Sequence, residues 1–294
     1  MSKGRSVAVA TCRAVPDLDV DGPALLTALA AAGLEPEVRV WDDPAVDWPS
    51  YDLVLLRSTW DYTHRRSEFL EWTQRCRRTA NPAAVVSWNT DKRYLTDLVS
   101  AGVAVVPTLF RHPGELVDLP ASWATGDVVV KPVVSASAAD TGRFAATSDQ
   151  VQELVDRLYG QNRAAMIQPY QSRIESEGET SLVHLGGRFS HAVRKQALLT
   201  EHGERAPVVG DEGRSFISPT SATSEQHAVA SAALSDVPGG AQNLSYARID
   251  LVPDDQGCPM LLELELTEPA LSLEHAPTAA MRQLARHVSQ AAAT

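Results

Sequence analysis

Residues 248–266, with the sequence RIDLVPDDQGCPMLLELEL, decide the fold of this chain. Charged and apolar residues alternate at both ends of the stretch, as they do in strands that bury one face. Its middle holds two prolines, two aspartates and Gly257, all of which favour turns. The sequence therefore predicts two antiparallel strands joined by a tight turn, with one charged and one apolar face.

The register of this hairpin determines which charged side chains face each other. A two-residue turn at residues 256–257 places Asp250 opposite Glu263. The same count places Arg248 opposite Glu265, and a four-residue loop would shift the pairing by two and keep the same face. Three carboxylates and one guanidinium therefore share a face. The apolar face is expected to point into a core through Ile249, Leu251, Leu262, Leu264 and Leu266.

Carboxylates that face each other on a sheet repel unless something neutralises them. A divalent cation with hard oxygen ligands is one solution, and Mg²⁺ is usual where phosphates are near. The alternative is an antiparallel pair with one solvated, charged face and one buried face. The hairpin residues alone leave both interpretations open.

The composition is that of a globular protein large enough for two or three lobes. The chain has 294 residues, of which 44% are hydrophobic and 21% charged. A formal net charge of −11 argues against general binding to nucleic acid or acidic membranes. The three cysteines lie far apart without metal-ligand spacing, which is typical of a reducing cytoplasm. We expect a cytoplasmic protein with no signal peptide and no membrane span.

Residues 1–90 alternate strand-like and helix-like segments, which predicts a parallel α/β lobe. Val85 and Val86 indicate a further strand near its end. Ligands gather at the carboxyl ends of strands in such lobes. The segment after the apolar run 52–56 is therefore a candidate small-molecule site or, alternatively, a structural turn. Its candidate substrate residues are Arg57, Ser58, Thr59 and Asp61.

Later segments supply candidate phosphate ligands and a candidate lid. Lys131 ends a β-branched run, where an exposed strand end is the alternative interpretation. The small residues at 133–143 would let backbone N–H groups approach an anion, although many such loops are linkers. A hairpin over 179–195 ends in two basic residues. The polar stretch 196–223 is expected to be a mobile loop able to close over a site.

Several common catalytic motifs are absent from the sequence. It contains no G-x-x-x-x-G-K-[ST] phosphate loop and no G-x-G dinucleotide fingerprint. It also lacks the G-x-S-x-G and H-E-x-x-H motifs of many hydrolases. These absences direct attention to the clustered lysines, arginines and acids.

The order of the charged segments resembles the ATP-grasp superfamily over nearly the whole chain. The segments are NTDK at 89–92, VVKP at 129–132, IQPY at 167–170, EGE at 177–179 with RK at 194–195, RID at 248–250 and LELE at 262–265. Three longer motifs resemble the branch that contains the O-ureido-serine cyclo-ligase of cycloserine biosynthesis. They are LRSTWDY at 56–62, WNTDKRY at 88–94 and LELELTEP at 262–269.

The resemblance implies an N-terminal α/β lobe at 1–90 and two α+β lobes, at 91–170 and 171–294, that sandwich ATP. It implies that Lys92 and Lys131 hold phosphates, Gln168 and the Tyr170 backbone meet adenine, and Glu179 meets ribose. One or two Mg²⁺ ions would bind Asp250, Glu263 and Glu265, the last of which is usually asparagine in the superfamily. The implied catalytic residues are Arg248, Arg194 and Lys131, and Glu268 joins the implied substrate residues.

The resemblance also implies an activity. It is an ATP-dependent carboxylate–amine ligase that forms an acyl phosphate, with a small amino-acid substrate and no nucleic-acid or membrane partner. The most specific expectation is ring closure of O-ureido-D-serine to D-cycloserine with release of ADP and phosphate. The alternatives are an intermolecular ligase of amino acids or peptides, a small-molecule phosphotransferase, and a non-catalytic ATP-binding regulator. A homo-oligomer is compatible with each.

Overall fold

The computed structural model describes residues 4–205 and 217–293, which form three β-sheets with helices packed against them. The strands are β1 (Arg5–Thr11), β2 (Leu34–Val40), β3 (Leu53–Ser58), β4 (Leu109–Arg111), β5 (Asp127–Pro132), β6 (Thr141–Ala145), β7 (Ala165–Pro169), β8 (Glu179–Leu185), β9 (Arg188–Lys195), β10 (Gly203–Arg205), β11 (Ile217–Thr220), β12 (Tyr246–Pro253) and β13 (Pro259–Glu265). The helices are α1 (Gly22–Ala31), α2 (Arg66–Arg75), α3 (Ala83–Asn89), α4 (Tyr94–Ser100), α5 (Asp149–Gly160), α6 (Ile174–Glu177), α7 (Ser224–Ser235) and α8 (Ala279–Ala291).

The N-terminal sheet is parallel, with the strand order β2-β1-β3. The apolar runs of β1 and β3 are fully buried because helices or loops cover both faces. Phe69 and Trp72 of α2 pack on one side, and Leu25 and Leu29 of α1 on the other. The predicted parallel α/β lobe is therefore present.

The predicted strand at Val85 and Val86 is wrong, because these residues lie in α3. Pro82 precedes the first turn of this helix, where a missing N–H is tolerated, and two alanines follow it. Val85 and Val86 are both buried but belong to different hydrophobic clusters. Burial on two sides of a short helix explains the apolar pair.

The other two sheets are antiparallel. The central sheet has the order β10-β6-β5-β7-β4, and α5 covers it with Val151, Leu154, Val155 and Leu158. The C-terminal sheet has the order β11-β9-β8-β12-β13. Helix α7 begins with a capping box between Thr223 and Gln226 and packs near β13. Residues 206–216 of the loop expected at 196–223 lie outside the described part of the chain.

The hairpin β12–β13 has the predicted pairing of its charged residues but a different loop length from the predicted one. Its loop has three residues, since Asp254 N donates to Cys258 O at 2.8 Å, and Gly257 has a left-handed φ of 87°. A bulge in β13 then restores the pairing of Asp250 with Glu263. Leu261 therefore occupies the core, whereas Leu262, which was expected there, lies on the cavity side.

Several segments pack on a different lobe from the one that the predicted boundaries at residues 90 and 170 assign them to. Strand β10 pairs with β6 of the central sheet, and α8 packs on α1 of the N-terminal lobe. The side chains of α4 share a core with β12 and β13. The boundaries at 90 and 170 stay a prediction. Within the described ranges, no helix is both long and apolar enough to cross a membrane.

Candidate active site

A cavity of about 830 Å³ lies between the central and C-terminal sheets, next to residues outside the strands of the N-terminal lobe. Strands β5 and β7 of the central sheet supply one wall, and β8, β9, β12 and β13 supply the opposite wall. The N-terminal lobe closes one end with Trp60 and Tyr62. The volume suits a small organic ligand or a nucleotide.

Arg248 is the central cation of the C-terminal wall. Its Nε and Nη2 donate to Asp250 at 2.9 and 2.8 Å, and Nη2 also donates to Glu265. Its Nη1 donates to the Ala270 carbonyl at 3.0 Å. Burial opposes its charge, but the two carboxylates raise the pKa of Arg248 above its ordinary value. The predicted sharing of one face by these side chains is therefore seen directly.

Asp250 is held by two cations. In addition to Arg248, Lys195 Nζ lies 3.2 Å from its Oδ2, and Ser181 Oγ donates to its Oδ1 at 2.6 Å. Burial opposes ionisation, yet Arg248 and Lys195 keep the pKa of Asp250 below its usual value. Lys195 also donates to Glu179 at 2.7 Å, so one ammonium joins two predicted site residues.

Two lysines face this wall from the opposite side. Lys92 Nζ lies 2.9 Å from Glu263 Oε1 and donates to the Ser135 carbonyl at 2.9 Å. Lys131 lines the cavity, and burial together with the nearby charge of Lys92 lowers its pKa. Burial opposes the charge of Glu263, but Lys92 and Lys131 lower its pKa. Two lysines and a carboxylate thus form a compact charged cluster.

The small-residue loop reaches the same cluster. Residues 135–138 line the cavity, and Ser137 and Ala138 both have φ of 54°. Left-handed backbone is costly for residues other than glycine, so the surrounding structure must fix this loop. Its small side chains leave the backbone close to Lys92. The predicted anion-binding position of the loop is geometrically possible.

The residues predicted to bind a nucleotide base, Gln168 and Tyr170, both line the cavity. Gln168 is 2% exposed, lines the cavity and donates from Nε2 to Thr108 Oγ1 at 2.9 Å. The Tyr170 N–H donates to the Asp127 carbonyl at 2.8 Å. Only the Tyr170 carbonyl is therefore open to a ligand among its backbone groups. Apolar side chains also line the cavity, including Val129, Ile174 and Leu262.

The predicted substrate segment reaches the cavity through different residues from those expected. Arg57, Ser58 and Thr59 are fully buried and do not line the cavity. The side chain of Asp61 accepts a hydrogen bond from Trp41 Nε1 at 2.7 Å, away from the cavity. The chain forms a 3₁₀ turn over Trp60–His64, which changes the direction of its side chains. Trp60 and Tyr62 take the cavity positions instead.

Arg57 lies behind the cavity wall. Its Nη2 is 3.4 Å from Asp19 Oδ2, and its guanidinium carbon is 5.8 Å from the centroid of the Tyr246 ring. Its Nε and Nη1 have no hydrogen-bond partner among the residues described. Asp19 itself lines the cavity. Arg57 thus reaches the cavity wall through Asp19, and its charge also acts on Asp21, another residue of that wall.

Glu268 is the predicted substrate residue that does line the cavity. Its carboxyl group is hydrogen-bonded to the Tyr62 hydroxyl, and burial together with the charge of Glu265 raises its pKa to about 8. The Glu268 carbonyl accepts a hydrogen bond from Trp60 Nε1 at 3.2 Å. These contacts join the N-terminal lobe to the segment after β13.

Arg194 does not join the site. It pairs with Thr180 on the side of the sheet where Thr180 contacts Gln226 of α7. Lys195, one residue on, faces the cavity, as strand alternation requires. The structure therefore brings Lys195, and not Arg194, to the cavity. A two-residue turn at Gly186–Gly187 would by itself pair Glu179 with Arg194. A bulge between Val183 and His184 shifts the register so that Glu179 pairs with Lys195, and the sequence carries no signal for this bulge.

The carboxylates partly fit a metal ion. The described residues contain no group of three or more His, Cys, Asp or Glu side chains that could hold one. Both oxygens of Asp250 already accept from cations. Glu263 and Glu265 are each about a quarter exposed and each form ion pairs through Oε1 alone within the described part of the chain. Mg²⁺ often binds one or two carboxylates plus substrate phosphates, and two carboxylates are available here.

Comparison with solved structures defines the class of protein. The chain is similar to an ATP-grasp RimK domain protein from Sphaerobacter thermophilus, with a TM-score of 0.69 and 17% identity over 98% of this chain and 100% of the other. It is also similar to D-alanine–D-alanine ligase from Bacillus anthracis, solved with ATP, with a TM-score of 0.64 and 13% identity over 98% and 97% of the two chains. These similarities confirm the predicted ATP-grasp fold.

More similar proteins define the family. The cycloserine biosynthesis protein DcsG of Streptomyces lavendulae is 34% identical over 284 residues, which are 90% of this chain and 92% of that protein. The crystal structure of D-cycloserine synthetase DcsG has a TM-score of 0.87 and 31% identity, over 98% of this chain and 99% of the other. Residues 7–84 match the family described as the N-terminal domain of D-cycloserine synthetase DcsG. The chain belongs to the D-cycloserine synthetase family of ATP-grasp ligases.

Proposed function

We propose that this ligase uses ATP and Mg²⁺ to close O-ureido-D-serine to D-cycloserine, releasing ADP and phosphate. One observation carries the proposal: similarity to DcsG extends over nearly the whole chain, including both walls and the N-terminal end of the cavity. The cationic cluster at one end of the cavity suits phosphates. The aromatic and carboxyl groups at the N-terminal end suit a small amino acid.

The nucleotide would lie between the central and C-terminal sheets. We assign Lys92 and Lys131 to its phosphates, and the position of both lysines on the cavity supports this assignment. We assign Gln168 and the Tyr170 carbonyl to the base and Glu179 to the ribose, because all three residues line the cavity. Apolar side chains of the cavity would cover the ring faces, as is common in ligand pockets.

Glu263 and Glu265 are the residues that would hold Mg²⁺, together with phosphate oxygens. When bound, the ion would neutralise phosphate charge. We assign Asp250 a different task, because Arg248 and Lys195 already occupy its oxygens. It keeps these two cations pointed into the cavity and fully charged.

The residues present match the chemistry of carboxylate activation. A carboxylate resists attack by nitrogen because its leaving group is oxide, and an acyl phosphate has a much better one. The protein then needs cations and positioning rather than a nucleophile of its own. Arg248, Lys131 and Lys195 supply positive charge around the transferring phosphoryl group. The alkoxy-linked ureido nitrogen would attack the activated carbonyl and release phosphate. Water would later cleave the bond from this nitrogen to the carbamoyl carbon, so that the carbamoyl group leaves as carbamic acid, which breaks down to CO₂ and ammonia.

ADP release tests this proposal when it is measured with ATP, Mg²⁺ and a series of small amino acids, with product masses recorded. We expect O-ureido-D-serine to support release and to give cyclic product. A product joining two amino acids would indicate intermolecular ligation instead. A stable phosphorylated product, or no ADP release with any of these acids, would contradict the proposal.

A further inference from the structure

Glu268 lies where the phosphate end of the cavity meets the N-terminal lobe. It lines the cavity three residues after Glu265 and close to Lys92, whose charge acts on it. On its other side it contacts Trp60 and Tyr62. An acyl phosphate with its phosphate near Lys92 and its amino-acid part near these aromatic rings would pass beside Glu268.

The backbone around Glu268 is rigidly held. Tyr246 Oη lies within hydrogen-bonding distance of the carbonyls of Thr267 (2.8 Å) and Leu56 (2.9 Å), and this hydroxyl links the segment to β3. Asn89 accepts from the Leu266 N–H at 2.7 Å. These bonds hold the two residues directly before Glu268, and such support is what a preorganised catalytic group requires.

Glu268 differs in its partners from the carboxylates of the C-terminal wall. Asp250, Glu263, Glu265 and Glu179 each form an ion pair with a lysine or arginine. Glu268 forms none within the described ranges, and the Tyr62 hydroxyl is its neutral partner. Burial raises its pKa to about 8, so this carboxylate binds a proton more readily than an ordinary one does. None of the nucleotide or metal roles proposed above uses it.

We propose that Glu268 accepts the proton that the attacking nitrogen loses during ring closure. The inference rests on the proposed function. The nitrogen lone pair forms the C–N bond at the acyl carbonyl, the C–O bond to phosphate breaks, and phosphate leaves with that electron pair. The nitrogen proton passes to a Glu268 carboxylate oxygen and then exchanges with water when the product leaves. Tyr62 is a positioning residue that orients the carboxylate through its hydroxyl.

Hydroxylamine separates activation from ring closure. This small nucleophile traps an acyl phosphate as a hydroxamate and, being largely unprotonated at neutral pH, needs no carboxylate base. In Glu268→Gln we expect ring closure to fall by about 100-fold while hydroxamate formation with ATP, Mg²⁺ and O-ureido-D-serine stays within about threefold of the parent. Glu268→Asp, which keeps the acid but moves it, should retain more ring closure than Glu268→Gln and serves as a second variant if the amide form does not fold.

The matched control is Glu153→Gln on the exposed face of α5, which should leave both rates unchanged. Equal loss of hydroxamate and cyclic product in Glu268→Gln would overturn the inference, because Glu268 would then act in binding or activation. Normal ring closure in this variant would overturn it too. If the parent protein itself forms no hydroxamate, the proposed function fails. If the parent is active and the Glu268→Gln variant still cyclises the substrate, only the inference about Glu268 fails.

Discussion

Arg248 organises the charges of the site at the level of single residues. It bonds to Asp250, Glu265 and a backbone carbonyl, so each guanidinium nitrogen has a partner. Buried charges are costly unless they are paired and hydrogen-bonded, and here the pairing is complete. Loss of one carboxylate would therefore disturb the position and the charge of the arginine as well.

Glu263→Gln tests the role of the carboxylate that faces Lys92. We expect turnover at saturating Mg²⁺ to fall by about 100-fold or more, because an amide oxygen is a weaker metal ligand and leaves Lys92 without its ion pair. The thermal midpoint should fall as well, because the buried Lys92 ammonium loses its ion pair, so the rates are compared at a temperature at which both proteins are folded. Steady-state rates against Mg²⁺ concentration provide the measurement, and parent-like turnover would contradict the metal role.

Lys195 and Arg194 form a matched pair of neighbours on opposite faces of β9. Lys195→Met removes the ammonium that bridges Glu179 and Asp250, so we expect ATP-dependent turnover to fall by about 10- to 100-fold. Arg194→Met changes an exposed side chain on the α7 side and should retain near-parent activity. Comparison of kcat/KM for ATP measures both. The reverse order of effects would restore the original prediction for Arg194.

Strand alternation explains which site residues the sequence could predict. It correctly grouped Arg248, Asp250 and Glu265 on one face, because side-chain direction in a strand is a local property. It could not predict the directions after Ser58, where the chain leaves the strand for a 3₁₀ turn. Trp60 therefore reaches the cavity and Asp61 does not.

The hairpin β12–β13 is the element that positions the acids. Its three-residue loop and the bulge in β13 are two deviations that offset each other, so Asp250 still pairs with Glu263. A one-residue shift in a strand moves every following side chain to the opposite face. The bulge thus keeps Glu263 and Glu265 on the cavity side. A count along the sequence cannot reveal the bulge, because a two-residue turn without a bulge would give the same pairing of Asp250 with Glu263.

Gly257→Ala tests the hairpin loop. The left-handed φ of 87° at this position is unfavourable for alanine, and an added Cβ would lie 3.2 Å from Arg173 Nη2. We expect a loss of about 1 kcal/mol in the free energy of unfolding, measured by denaturant titration. Gly160→Ala is the control, because its Cβ would meet nothing within 4 Å and its φ is not left-handed. Equal stability of the two variants would contradict the loop geometry.

Short apolar pairs are the elements that sequence patterns predict least well. Val85 and Val86 favour a strand by residue type, but their burial in two separate clusters stabilises a helix. In the longer helix α5 (Asp149–Gly160), by contrast, the buried residues Val151, Leu154, Val155 and Leu158 recur at helical spacing, so the sequence pattern and the packing agree. Tertiary packing determines the secondary structure of such short segments, and a window of a few residues does not contain the information about that packing.

At the scale of the whole molecule, the cavity exists because distant segments meet. Tyr62 of the first lobe contacts Glu268 near the end of the chain, and Asn81 bonds to the backbones of Tyr246 and Leu266. Helix α8, near the end of the chain, also packs against α1 of the N-terminal lobe. Such contacts depend on three-dimensional packing, so the sequence could predict the three lobes but not the wall that they form together.

The buried imidazole of His184 should influence how the stability of the whole fold changes at acidic pH. Burial and the charge of His227 lower the pKa of His184 to about 4 from 6.5. Between these values the unfolded chain binds a proton that the folded chain does not, so the contribution of His184 to stability is present above pH 6.5 and is lost as the pH falls toward 4. In His184→Gln we expect a shallower loss of stability over this range.

The control for that experiment is His64→Gln at an exposed position. Denaturation midpoints between pH 4 and 7 would be compared for the parent and the two variants. The His64 variant should follow the parent curve. A His184 variant that loses stability as steeply as the parent would show that this imidazole does not titrate as its burial implies.

Transfer of oxygen isotope tests the central claim most directly. O-Ureido-D-serine labelled with ¹⁸O in its carboxylate would be turned over with ATP and Mg²⁺, and the released phosphate analysed by mass spectrometry. Because an acyl phosphate carries a carboxylate oxygen into its leaving group, we predict one ¹⁸O atom in each phosphate together with cyclic product. Unlabelled phosphate would contradict the account, since ATP would then be hydrolysed without activating the carboxylate.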